Sequence, residues 1–320
     1  MRNHASKMLL LAGILLSFIV SQFQSQINPY FLQIIIYIGI NIILATSLNL
    51  INGYAGQFSL GHAGFMALGG YTGAVVSTTL GASAGAGSGL IILPLALILG
   101  GIVAALAGLL VGIPSLRLRG DYLAITTLGF GEIIRVVIQN LEFLGGARGF
   151  TGIPKLTNFF WVFSVVSITV FVVTNLVNSS YGKGFLAVRD DEIAAQAMGI
   201  NTTKYKVIAF VTGAFFAGIA GGLYAHFVSY INPQQFSFIR SIEIVVMVIV
   251  GGMGNTPGVI IAATLLTILP EALRPIAEYR MVIYSLSLVI IMITRPQGLF
   301  GRELSVKSLL RRLRKQAMPV

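Results

Sequence analysis

The chain is 320 residues long, 56% hydrophobic and only 10% charged, with a formal net charge of +11. Soluble domains carry about 25% charged residues, so this composition excludes an ordinary soluble domain and specifies a polytopic integral membrane protein. Cysteine is absent, which removes disulfides, thiolate metal sites and cysteine nucleophiles.

A helix needs about 20 apolar residues to cross a bilayer. In chain order the apolar runs fall near 8–23, 29–51, 58–80, 90–112, 121–140, 158–178, 204–230, 236–252, 258–274 and 280–294. They predict an all-α membrane protein of about ten transmembrane helices, forming one domain over 1–300 and followed by a basic tail, 301–320. With the N-terminus in the cytoplasm, fifteen of the twenty-one basic residues fall on the cytoplasmic side and five on the other, while Arg135 lies within a span. This positive-inside bias places both termini in the cytoplasm. The tail then reads as an orientation signal touching anionic lipid headgroups, rather than as a nucleic-acid site. Residues 1–26 look like a signal peptide, but no small-x-small site closes the apolar run, so they are read as an uncleaved first span.

Glycine supplies 37 of 320 residues, about 12% against a typical 7%. Pairs such as Gly69/Gly73, Gly108/Gly112 and Gly218/Gly222 have the small-xxx-small spacing that lets helices approach closely in lipid. The stretch 55–74 mixes polar residues with six glycines, and predicts a broken or re-entrant span, which is tolerated only where protein or a water-filled cavity covers the backbone. Gln57, Ser59 and Tyr71, with Thr126 and Thr127 on the fifth run, are candidates to line a translocation path. His62 has no metal-ligand spacing and joins them as a packing or hydrogen-bonding residue. Glu132 and Arg135 share a helical face. Charges within a span are functional candidates by default, and a mutually satisfied structural pair is the plainer alternative. Glu243, close to Arg240, reads as interfacial.

Ten spans divide into two halves of five, and an odd number per half inverts the second half, as is common in transporters. AGFMALGGY at 63–71 loosely echoes AGIAGGLY at 217–224.

Residues 181–206 form a charged, helix-competent island between two spans. Tyr181-Gly-Lys-Gly is expected to break the preceding span. Phe185 to Met198 then predicts one short helix, with Gly199 as a left-handed cap. Phe185, Val188 and Ala195 share its apolar stripe. Arg189, Asp190, Asp191 and Glu192 are polar. A helix laid across the ends of the spans in this way offers a docking surface.

AAQAMG, Ala194 to Gly199, is similar to the Ala-Ala-x-x-x-Gly core of the coupling motif in membrane subunits of ABC importers, with Ile193 where glutamate is usual and Glu192 one position earlier. The ordered set GYAGQFSLGHAGFMALGGYTGA, LRLRGDYLAITTLGFGEIIR, GGARGFTGIPKL, AVRDDEIAAQAMGIN, AFFAGIAGGLYAHFVSYINP and GGMGNTPG resembles the LivM-type branched-chain amino acid permeases of bacterial ABC transporters, from about Asn49 through Gly298.

That resemblance implies a permease subunit in the inner membrane, paired with a second, LivH-like permease. It further implies two cytoplasmic LivG/LivF-like ATPases and a periplasmic substrate-binding protein. Phe185, Arg189, Asp190, Asp191, Glu192, Ala194, Ala195 and Gly199 would then form the ATPase-coupling set, and charge reversal at Asp191 and Glu192 would uncouple hydrolysis from uptake. No Gly-x-x-x-x-Gly-Lys phosphate loop occurs, so any ATP and magnesium would be used by partner subunits and no cofactor is expected on this chain. A urea- or amide-type ABC permease, a passive channel and an ion-coupled secondary transporter are the other readings. No metal cluster, nucleophile elbow or acid/base carboxylate pair points to an enzyme.

Overall fold

The computed structural model describes residues 2–81, 89–115, 118, 120–276, 278–294 and 298. Within them lie twelve α-helices: α1 Arg2–Gln22, α2 Pro29–Asn49, α3 His62–Gly81, α4 Gly89–Ser115, α5 Asp121–Asn140, α6 Phe159–Asn178, α7 Ser180–Asp190, α8 Glu192–Ala197, α9 Thr202–Val228, α10 Phe238–Gly251, α11 Thr256–Ala272 and α12 Arg280–Thr294. A π-helical turn, Leu50–Tyr54, extends α2. Extended pairing among the described residues is limited to one isolated bridge, Phe150 with Ile231. The tail 301–320, with Arg117, Arg119 and Arg295, lies outside the described residues.

Each predicted apolar run contains a helix. Five helical stretches are long and apolar enough to cross a membrane: Pro29–Tyr54, Gly89–Pro114, Phe159–Asn178, Thr202–Val228 and Pro233–Gly251. Leu10–Gln22 and Thr256–Ala272 are shorter apolar helices. The outward faces match a lipid solvent. On α4, Leu90, Ile91, Leu106 and Leu110 are exposed, a continuous apolar surface that a protein in water would have to cover.

Helix starts are set by short polar side chains. Asn28, Asn158, Asn201 and Asn255 each accept a backbone N–H of the helix that follows, at α2, α6, α9 and α11. Such side chains satisfy first-turn donors that have no partner inside the helix.

The centre of the molecule is a three-helix core of α3, α4 and α9. It depends on bare backbone. A side chain at Gly69 would collide with the Gly218 carbonyl, and one at Gly221 with the Met66 carbonyl. The two echoing segments of the sequence therefore pack directly against each other. Around this core α2 contacts α6, α9, α10 and α11, and α1 packs on α6.

The structure corrects the expected break in 55–74. Only residues 55–61 leave the helix. From His62 the chain runs as continuous α-helix to Gly81 despite its glycines, because α4 and α9 close over the glycine face and fix it by packing.

Candidate transport and coupling sites

The island after α6 is two helices rather than one. Ser179 ends α6 and caps α7, so Tyr181-Gly-Lys-Gly is helical and the break comes earlier than the sequence suggests. A second break falls at Asp191, whose Oδ1 accepts from Ile193 N at 2.9 Å and Ala194 N at 3.0 Å. The Asp side chain competes with its own backbone for these donors, starts α8 and ends α7. Gly199, at φ +79°, closes α8 in the expected left-handed conformation.

The apolar stripe of the island points inward. Phe185 is fully buried and meets Tyr205 edge-on, beside Leu50 and Val173. Val188 and Ala195 are buried as well. Glu192 pairs with Lys206, Oε1 to Nζ 2.7 Å, and the Lys206 side chain is only 2% exposed. Arg189 donates to the Gly53 carbonyl at 3.2 Å and to Asp190 Oδ1 at 2.9 Å. Of the expected coupling set, Phe185, Arg189, Glu192 and Ala195 thus hold the island on the body of the protein, while the exposed Asp191 bonds only within it. Asp190, Ala194 and Gly199 remain outward. The outward apolar side chains are ones that helix periodicity did not single out: Ile193 is 66% exposed and Met198 82%. They stand on either side of Ala194 and Ala197 as a small hydrophobic tip beyond a charged base.

Beneath Arg189 lies a backbone junction. Gly254 donates its N–H to Asn49 Oδ1 at 2.8 Å, and Thr256 donates its N–H to the Tyr54 hydroxyl at 3.3 Å. Through Arg189 the island is fastened to the adjoining end of α2, which is itself bonded to the α10–α11 loop.

The expected path residues mostly pin the break between α2 and α3. Ser59 N donates to Asn52 Oδ1 at 3.1 Å, and Leu60 N to Thr127 Oγ1 at 3.0 Å. Gln57 turns back to the Ala55 carbonyl. His62 is buried with Nε2 2.9 Å from Ser47 Oγ. Tyr71, also buried, donates to the Ile231 carbonyl at 3.3 Å. Thr126 is half-buried. Glu132 binds Arg135 at 2.7 Å and accepts the Phe238 N–H at 2.9 Å, tying α5 to the start of α10. The plainer alternative for this pair, a satisfied ion pair, describes its contacts.

A cavity of about 570 Å³ opens elsewhere, between α2, α3, α9, α10, α11 and α12. Its walls include Asn41, Tyr224, Arg240, Glu243, Thr267 and Glu271. Apart from Asn41, which lies midway along α2 and its π-helical turn, these residues lie towards the ends of their helices remote from the island, since Gly53 and Gly254 mark the ends that meet Arg189. Of them, sequence reasoning noted only Arg240 and Glu243, and placed both at the interface. No group of metal-ligating side chains occurs among the described residues.

Residues 30–293 match the family described as branched-chain amino acid transport system, permease component. The chain belongs to this permease family. Its relatives include the high-affinity branched-chain amino acid transport system permease protein LivM of Salmonella typhimurium, 38% identical over 81% of this chain and 67% of the relative. The LivM protein of Escherichia coli K12 is 37% identical over the same shares. The permease protein LivH of Salmonella typhimurium is 28% identical over 50% of this chain and 52% of its own. No solved structure matches. The family match contains the island, the 55–61 break and the cavity, so all three belong to the permease domain, and the chain is a multi-pass membrane protein of a transport system.

Proposed function

We propose that this chain is the membrane-spanning permease subunit of an ABC importer for branched-chain amino acids in the bacterial inner membrane. It would work beside a second, LivH-like permease, two cytoplasmic ATPases that use ATP and magnesium, and a periplasmic binding protein that delivers substrate. The observation that carries this reading is the family match together with 38% identity to a LivM protein over 81% of the chain. The ten helical runs and the excess of basic residues on one side support two five-helix halves with both termini in the cytoplasm, the domain running through about residue 300 and the basic tail following it.

In this reading α7 and α8 are the coupling element. ATP-driven closure of the ATPase pair would push on the Ile193–Met198 tip. A ligand or partner shifts a conformational equilibrium only by its differential affinity for the two states, and the tip holds the most exposed apolar side chains of the island. Arg189, Phe185 and the Glu192–Lys206 pair would transmit the push, because they join the island to α2, α6 and α9.

Affinity purification of this chain from its native membrane in mild detergent, with mass spectrometry of what is retained, tests the assembly. The expected result is a second permease and two ATPases in the purified complex, with uptake of leucine after reconstitution. Recovery of the folded chain alone, with uptake that follows a proton or sodium gradient, would replace this reading by an ion-coupled carrier.

A further inference from the structure

The cavity between α2, α3, α9, α10, α11 and α12 is lined by charge of both signs. Its volume, about 570 Å³, lies within the roughly 300–1,000 Å³ of small-molecule sites. Arg240, Glu243 and Glu271 bring both signs of charge to its lining, while Met66, Met247 and Leu266 supply an apolar wall. Ionisable side chains of a membrane protein that face a cavity mark substrate pathways. Resting on the permease reading above, we propose that this cavity is a transmembrane binding site for a zwitterionic amino acid with an aliphatic side chain, Arg240 receiving its carboxylate and Glu271 its ammonium group.

The bonding pattern suits that division. Arg240 donates from Nη1 to Glu243 Oε2 at 2.8 Å and from Nη2 to Asn41 Oδ1 at 2.6 Å, and Asn41 donates to Thr267 Oγ1 at 2.8 Å. These bonds hold the guanidinium from three helices and use two of its five N–H groups, leaving donors in the planar fork that matches a carboxylate. Tyr30 donates to Glu271 Oε2 at 2.6 Å and orients that carboxylate. Glu243 is set against Arg240, and Glu271 faces the exposed Arg274, which lies over the Tyr30 ring, so this end of the cavity carries paired charges of both signs, as a zwitterion needs. The methionines and the leucine offer the adaptable apolar surface that branched side chains of differing shape need.

The chain has no cysteine, so one introduced cysteine is its sole thiol. In the complete transporter, reconstituted in proteoliposomes, the labelling rate of Met247→Cys by a methanethiosulfonate reagent reports occupancy, with Leu266→Cys as the second position should the first fail to assemble. L-Leucine is expected to slow labelling at least fivefold. Isoamylamine and 4-methylpentanoate, each lacking one of the two charges, are expected to protect less. Adding Arg240→Gln or Glu271→Gln is expected to remove protection while the ATPase subunits stay in the purified complex. A transporter that takes up leucine but shows no protection at either cysteine overturns this site and leaves the permease reading standing. Protection that survives both charge removals overturns the roles of Arg240 and Glu271. Uptake of urea in place of leucine overturns both readings.

Discussion

Lys206 Nζ lies 2.7 Å from Glu192 Oε1 across the angle between α8 and α9, and the lysine is almost wholly buried. A buried ammonium depends on its counter-charge, so the pair acts as a bolt: each partner alone is worse than neither. Glu192→Gln leaves the charge unpaired and is expected to destabilise the permease by about 3 kcal/mol. Glu192→Gln with Lys206→Met should recover most of that loss. Thermal unfolding of detergent-purified variants, followed by aggregation on size-exclusion chromatography, checks the ordering. The same pair changes what charge reversal at Asp191 and Glu192 would mean, since it would dislodge α8 before it reported on any partner.

Asp191 caps α8 by accepting from Ile193 N and Ala194 N. Asp191→Ala should cost about 1 kcal/mol, and Asp191→Asn much less. Hydrogen exchange across 192–199 is the direct measurement, with faster exchange expected in the alanine variant alone.

The tip should behave differently from its base. Ile193→Ser with Met198→Ser removes exposed apolar surface and touches no internal bond, so thermal stability should stay within about 0.5 kcal/mol, as at other surface sites. Leucine uptake is expected to fall at least tenfold, with ATPase subunits lost from the purified complex. Normal uptake in this variant would move the coupling contact elsewhere.

At the helix crossing, Gly69→Ala drives a methyl group into the Gly218 backbone. Overpacking of this kind costs typically 1–3 kcal/mol, and here the obstacle is main chain, which yields less than a side chain. A clear drop in folded yield is expected for Gly69→Ala. Gly81→Ala, which meets open space, should express as the parent does.

Thr127 is buried and accepts the Leu60 N–H, pinning the non-helical 55–61 stretch. Thr127→Val keeps the shape and strands that donor, at a cost of about 1–3 kcal/mol. Protease sensitivity near residues 55–61 should rise while helix content by circular dichroism stays constant.

What was legible in the sequence follows from the physics that writes it there. The apolar runs located the helices because lipid imposes both length and composition on a span. Gly199 was readable as a cap because glycine takes positive φ without strain. The break at Asp191 was hidden: residues 185–198 have unbroken helix-forming composition, and only the Asp side chain, aided by the Lys206 tether from the next helix, decides against continuity. Phe185 looked outward because an apolar stripe does not say which way it faces. The cavity was invisible for another reason, since Asn41, Arg240, Thr267 and Glu271 stand on three helices and share no local pattern. Polar residues clustered in sequence, such as Gln57, Ser59 and His62, drew attention instead: Gln57 turns back on its own loop, Ser59 joins the bend through its backbone with its hydroxyl buried and unbonded, and His62 meets Ser47 through one ring nitrogen.

Arg189 sits on the Gly53 carbonyl, beside Gly254, and so grips the near ends of helices that wall the charged cavity further along. From Gly53 to Asn41 along α2 is about 18 Å at 1.5 Å per residue. A tilt of about 10° pivoting at the Gly53 end would carry Asn41 sideways by on the order of 3 Å, enough to pull it out of hydrogen-bonding range of Arg240. The guanidinium of Arg189 sits at that pivot. A displacement too small to unfold anything at the membrane surface becomes, at the other end, the difference between a closed polar ring and an open one.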